Sequence, residues 1–192
     1  CESEEDIPAA FQDLIDSGVD GVVLSPPLCD SPQMLKLVQE TDVLCVVVAN
    51  WRPPGKMSVV CIDDVEAAAV MTRHIISLGH KRIGFVIGNP EQKASGQRLK
   101  GFKAAMADAG LEVDPACVVP GLFTYRSGLD AAETLFNLPE PPTAIFASND
   151  DMAAAAVTVA HRRHLEVPKD VTICGFDDTD FAQSIWPELT TI

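Results

Sequence analysis

The stretch that most narrows what this chain can fold into runs from Gly79 to Phe102. It opens Gly79-His80-Lys81-Arg82-Ile83-Gly84-Phe85-Val86-Ile87-Gly88, crosses a polar loop, Asn89-Pro90-Glu91-Gln92-Lys93-Ala94, and closes Ser95-Gly96-Gln97-Arg98-Leu99-Lys100-Gly101-Phe102. Gly79 stops a preceding helix, since glycine tolerates the left-handed conformation after a helix C-terminus. A short apolar run between glycines suits a parallel strand covered on both faces. Ser95 reads as an N-cap, and Leu99, Phe102, Met106 and Ala109 recur at helical spacing. Arg98 then falls in the first helical turn, at the carboxyl end of a parallel strand, where open α/β sheets bind ligands. A guanidinium gains nothing from the helix dipole there, which favours anions at that end. It is better understood as facing something polar.

The same grammar repeats along the chain. Val19–Leu24, Val43–Ala49, Val59–Ile62, Val118–Val119, Thr143–Ala147 and Val171–Phe176 read as strands. Between them lie amphipathic segments: one from Ile7 to Ile15, one opened by Ser31-Pro32, one from Val65 to Ile76, one capped by Ser127 and one capped by Asn149. Leu189–Ile192 begins a further extended piece. Regular alternation of strand and helix predicts an α/β fold of parallel sheets flanked by helices, joined by right-handed crossovers.

Composition excludes several functions. The 192 residues hold 14 basic and 28 acidic side chains, a net charge of −14. So negative a surface repels phosphate backbones, and these residues are not expected to bind DNA or RNA themselves. No apolar run is long enough to span a membrane, and the start, Cys1-Glu2-Ser3-Glu4-Glu5-Asp6, has neither the basic opening nor the apolar segment of a signal peptide. The six cysteines are scattered without a C-x-x-C pair, the pattern of reduced thiols in a cytoplasmic protein. There is no G-x-G-x-x-G or P-loop to cradle a nucleotide, and His161 with His164 sits among arginines rather than other metal ligands. Gly21, Ser25 and Ser148 lack a nucleophile elbow, and nothing sets Asp63 and Asp177 apart as acid and base. No enzyme, cofactor or metal is expected.

Polar and aromatic residues instead gather at the strand-to-helix corners: Asp63, Arg98, Phe123, Asn149 and Asp177. Parallel strands place these corners on one edge of their sheets. A bidentate arginine, carboxylates, an amide and a ring are the parts that hold a polyhydroxylated ring: charged groups engage adjacent hydroxyls in pairs and the aromatic covers the C–H face. Each also has a structural reading. Asp63 or Asp64, and Asn149, can cap helices, Phe123 can be core, Arg98 can lie on the surface, and Asp177 can cap a turn.

At these residues the chain resembles the ligand-binding domain of the LacI/GalR family of bacterial transcriptional repressors. The resemblance rests on Val19-Asp20-Gly21-Val22-Val23, Ser77-Leu78-Gly79-His80-Lys81-Arg82-Ile83-Gly84, Arg98-Leu99-Lys100-Gly101-Phe102 and Ala147-Ser148-Asn149-Asp150-Asp151-Met152-Ala153. It continues through Val167-Pro168-Lys169-Asp170-Val171, Gly175-Phe176-Asp177-Asp178 and Pro187-Glu188-Leu189-Thr190-Thr191-Ile192. It implies a two-lobed periplasmic-binding-protein-like fold with the effector between the lobes. Residues 1–80, rejoined by 189–192, would form the N-terminal lobe, and residues 81–188 the C-terminal lobe. The effector positions of the family map onto Asp63, Arg98, Phe123, Asn149 and Asp177, and extend to Gln92 and Ala94. In purine-binding members the Gln92 position carries a second arginine and the Ala94 position a hydroxyl residue, so their absence favours a sugar. The resemblance further implies a cytoplasmic homodimer that reaches operator DNA only through a helix-turn-helix headpiece not included in these 192 residues. The alternative with the same fold is the solute-binding protein of a sugar ABC transporter.

Overall fold

The computed structural model describes residues 6–50, 53, 55 and 57–192. Residues 1–5, 51, 52, 54 and 56, Cys1 among them, lie outside these. The described residues form two compact units. The first comprises the described residues from Asp6 to Ile62 with Glu91–Lys93, and the second Asp63–Pro90 with Ala94–Ile192.

In the first unit, α1 (Ile7–Asp16) and α2 (Pro32–Gln39) pack with a three-stranded sheet, β1 (Gly21–Leu24), β2 (Leu44–Val48) and β3 (Ser58–Val60). The order is β1-β2-β3 and both pairings are parallel. Ser31 caps α2 by accepting from the Met34 amide at 3.3 Å. Ile7, Phe11, Val22, Leu24, Met34, Leu35, Val38 and Val47 make the core. Val23, Leu44 and Val60, on the same strands, stay exposed.

In the second unit four parallel strands, in the order β5-β4-β6-β7, lie between two helical layers. They are β4 (Ile83–Val86), β5 (Val118–Val119), β6 (Ala144–Ala147) and β7 (Thr172–Cys174). The helices are α3 (Asp64–Ser77), α4 (Lys93–Asp108), α5 (Tyr125–Phe136), α6 (Asp150–Arg162) and the short α7 (Asp180–Ser184). Strand alternation sends successive side chains to opposite faces. Phe85, Ala144 and Phe146 therefore join Met71 and Ile75 of α3 and Phe102 and Met106 of α4. Val86, Ile145 and Ala147 join Ala132 and Leu135 of α5 and Met152, Ala156 and Val159 of α6. Every residue of β4 and β6 is buried, as a strand covered on both faces requires.

The compact units divide at Ile62/Asp63, whereas the lobes implied by the resemblance meet at residue 80. The reason is α3. Its buried side belongs to the core of the second sheet, and a Cβ built on Gly101 of α4 would lie 2.1 Å from the Val65 carbonyl oxygen, so the two helices touch backbone to backbone. Gly79, at φ +97°, does end α3 as its sequence implies, but it links two elements of one unit. Residues 189–192 likewise lie with the second unit. Cys174 and Thr190 form a parallel bridge, the Gly175 amide donates to the Thr190 carbonyl at 2.9 Å, and the Asp177 amide to that of Ile192 at 2.6 Å. At the amino ends of the strands, His80 joins Thr143 and Thr172, each hydroxyl 2.9 Å from a ring nitrogen.

Candidate functional site

The carboxyl edge of the second sheet is built from the corners β4→α4, β6→α6 and β7→α7 and from the loop before α5. Arg98 is its centre. The helix carrying it starts at Lys93, so Ser95 is no N-cap; it is buried within α4 and its hydroxyl donates to the Asn89 carbonyl at 2.5 Å. Arg98 therefore sits in the second turn and is only 9% exposed. Its Nε donates to Asp64 Oδ1 at 2.9 Å. Its Nη1 donates to the Ser148 carbonyl at 2.5 Å and, at a long 3.4 Å, to Asp177 Oδ1. The guanidinium carbon lies 3.6 Å from the centroid of the Phe176 ring and 5.8 Å from that of Phe123, stacking that suits a planar cation. Among the described residues, Nη2 has no hydrogen-bond partner and is the one donor of this group left for a ligand.

Asp177 follows β7 with its backbone at φ +107°, and Asp178 beside it is at φ +47°. Two consecutive non-glycine residues there are sterically costly. The turn is held by the amide bond from Asp177 to Ile192 and by Asp150, buried at the start of α6. Asp150 accepts from the Thr179 amide at 2.8 Å, the Thr179 hydroxyl at 3.0 Å and the Thr191 hydroxyl at 2.6 Å. The Asp177 side chain is 41% exposed. Burial raises its pKa to about 6, with Asp150 and Asp64 adding to the rise and Arg98 opposing it.

Phe123 and Asn149 form a unit. Asn149 caps α6, accepting from the Met152 amide at 3.1 Å, while its side-chain amide donates to the Phe123 carbonyl at 3.1 Å. That bond helps hold Phe123 at φ +59°. The ring lies over the end of β4 so closely that a Cβ on Gly88 would be 2.0 Å from its Cζ. The following helix is capped by Thr124, not by Ser127. Ser127 completes a capping box, its amide 3.2 Å from the Thr124 hydroxyl.

Of the sequence-predicted residues, the second unit thus gathers Arg98, Phe123, Asn149 and Asp177 at one edge. Asp63 does not join them. It is exposed and caps α3, accepting from the Glu66 amide at 3.0 Å. The carboxylate facing Arg98 is Asp64, only 3% exposed. The sequence carried a signal for this: in an Asp-Asp pair before a helix, a capping first residue places the second at N1, turned toward the core. Gln92 lies in the bend before α4 and groups with the first unit, as does Lys93, whereas Ala94 belongs to the second. Phe176 and Asp150, both structural supports of Arg98 and Asp177, were not singled out from sequence. Asp63→Ala is expected to lower stability by about 1 kcal/mol through the lost cap and to leave small-molecule binding unchanged, as urea denaturation and titration calorimetry would show.

Asp177 also sets a pH dependence. With its pKa raised above the ordinary carboxylate value of 3.8 to about 6, the folded state holds this proton more tightly than the unfolded chain. The contribution of this group to stability is therefore largest below pH 4 and is lost as pH rises toward 6. Asp177→Asn should remove that part of the dependence, so its melting temperature, relative to the unsubstituted protein, should be higher at pH 7.5 than at pH 4.5.

Among the described residues no group of histidines, cysteines and carboxylates is arranged to hold a metal, and no helix is long and apolar enough to cross a membrane. The five described cysteines are free thiols.

Known proteins resemble this chain in sequence and in fold. The model of the periplasmic binding protein-like domain matches residues 72–192. The chain is 35% identical over 194 residues to the transcriptional repressor CytR of Escherichia coli K12, covering 100% of this chain and 56% of that protein. It spans little more than half the length of the curated relatives it matches. The crystal structure of a LacI-family regulatory protein from Chloroflexus aggregans superimposes with a TM-score of 0.86 at 30% identity, covering 98% of this chain and 68% of that one. A transcriptional regulator described as a CelR–cellobiose complex superimposes with a TM-score of 0.88 at 33% identity, covering 98% and 58%. By its corners, its parallel sheets and these relatives, the chain belongs to the LacI family of transcriptional regulators, as its periplasmic binding protein-like domain.

Proposed function

We propose that this chain is the effector-sensing domain of a bacterial transcriptional repressor. It binds a small sugar-like molecule at the edge formed by Arg98, Asp177 and Phe123, and it controls operator binding by a helix-turn-helix headpiece in a cytoplasmic homodimer. The observation that carries the reading is a guanidinium whose Nη1 reaches the half-exposed Asp177 carboxylate while its Nη2 has no hydrogen-bond partner among the described residues, beside the Phe123 ring. One donor and one acceptor side by side suit vicinal hydroxyls, and the ring suits a sugar's apolar face. A relative of known structure is described with cellobiose, which supports a sugar. That the relatives are regulators favours this over a transporter's solute-binding protein.

In this reading regulation is a coupling between two binding equilibria. The sugar binds the DNA-released and DNA-bound forms with different affinity, and by linkage DNA alters sugar affinity by the same factor. Asn149 and Asp64 act indirectly, by holding Phe123 and Arg98. A thermal-shift screen against mono- and disaccharides tests the proposal. A true effector at 100 times its Kd should stabilise by about 2.7 kcal/mol, seen as a rise of several degrees in melting temperature. No shift across the panel would count against it.

A further inference from the structure

We propose that the Arg98–Asp177 site selects by charge, accepting an uncharged or amine-bearing polyhydroxylated molecule and rejecting the same scaffold when it carries phosphate or carboxylate. This rests on the effector reading above and narrows it.

Two carboxylates, Asp64 and Asp177, meet the one guanidinium, and a third, Asp150, acts on Asp177. Arg98 is closer to Asp64, at 2.9 Å, than to Asp177, at 3.4 Å, so its charge is already answered by a buried partner. Asp150, 1% exposed, is held by three donors and adds a further negative charge behind Asp177. The net local charge with all groups ionised is −2, in a molecule of net charge −14.

Helix N-termini are the other source of positive potential at such an edge, and here the chain's own groups answer most of it. At the start of α3 stand Asp63, Asp64 and Glu66. Asn149, Asp150 and Asp151 occupy the start of α6, and a capping box closes α5.

The cation carried by the neighbouring helix of the same unit is also committed. Arg126, in the first turn of α5, is paired with Asp130 at 3.7 Å. An arriving anion would lose its hydration and meet a carboxylate excess, with only the Asp64-paired Arg98 to replace the water. A hydroxyl or an ammonium instead donates to Asp177, and an ammonium also gains from the Phe123 face.

The test is titration calorimetry with the intact protein. The probes are neutral hexoses and disaccharides and, for each that binds, its phosphate ester, its uronic acid and its amino-deoxy derivative. The expected result is that the two acidic forms bind at least about ten-fold more weakly than the neutral sugar, that the amine binds at least as well, and that the penalty shrinks as salt is raised to about 0.5 M. A penalty that does not change with salt is steric and overturns the proposal. Acidic forms that bind as tightly as the neutral sugar also overturn it, yet they leave the effector reading standing if Asp177→Asn weakens that binding. Binding by no member of the panel overturns both.

Discussion

Arg98→Ala is expected to destabilise the second unit by about 3–5 kcal/mol, the usual cost of stripping one partner from a buried ion pair. The reason is what Arg98 leaves behind. Asp64, 3% exposed, would lose its only described side-chain counterion, at 2.9 Å. The Ser148 carbonyl would lose a charge-assisted bond and Phe176 the cation stacked on it. The substitution therefore cannot serve as a clean test of binding, because the residue proposed to meet the ligand also holds the edge together. If the cost comes from the stranded Asp64 charge, Asp64→Asn in the Arg98→Ala background should recover a substantial part of it. Urea denaturation of the two single variants and the double variant measures this directly. A double variant no more stable than Arg98→Ala would show that the ion pair is not the source of the loss.

Gly101→Ala is expected to cost at least the upper end of the 1–3 kcal/mol range for overpacking. Two effects compete. Alanine in a helix interior is favoured over glycine by about 1 kcal/mol. Against that, the new methyl would stand 2.1 Å from the Val65 carbonyl oxygen, 2.9 Å from its carbon and 3.1 Å from the Ala68 Cβ. Backbone atoms cannot swing away as a flexible side chain can, so α3 and α4 must separate, and the core between Ala68, Met71, Phe85 and Phe102 must open. The steric effect wins. Because that separation also shifts Asp64 on α3 away from Arg98 on α4, sugar binding should weaken together with stability. Gly96, on the same helix with nothing within 4 Å of a built Cβ, is the control. Gly96→Ala should be neutral or mildly stabilising.

The architecture was legible because it depends on periodicity. Short apolar runs such as Ile83–Val86 and Ala144–Ala147, separated by amphipathic segments, admit few solutions other than parallel sheets between helices. The corners were legible for the same reason, since parallel topology sends every strand's carboxyl end to one edge. What the sequence concealed falls into three physical kinds. The first is the choice between neighbours: Asp63 or Asp64, Thr124 or Ser127. Which of two adjacent polar residues caps a helix and which turns inward depends on a one-residue boundary. The second is packing between elements distant in sequence. Nothing local to Val65–Ile76 tells that α3 shares a core with β4 and α4. The third is unusual backbone. Phe123 at φ +59° and Asp177 at φ +107° are positions a non-glycine residue avoids unless its surroundings compel it. Those surroundings, Asn149 beneath Phe123 and the Ile192 carbonyl beside Asp177, come from elsewhere in the chain. The five-residue α7 was too short to carry a readable period.

The most direct test of the claim that Asp177 and Arg98 together grip a hydroxylated effector is titration calorimetry of Asp177→Asn with the sugar identified by the screen. Asp177 is the residue to change because it touches Arg98 only through a long bond and is partly exposed, so its loss leaves Asp64, Ser148 and Phe176 in place around the guanidinium. Affinity lower by roughly ten- to a hundred-fold, about 1.4–2.8 kcal/mol, with the fold intact by denaturation, is the predicted result. Unchanged affinity in a fully folded variant would contradict it.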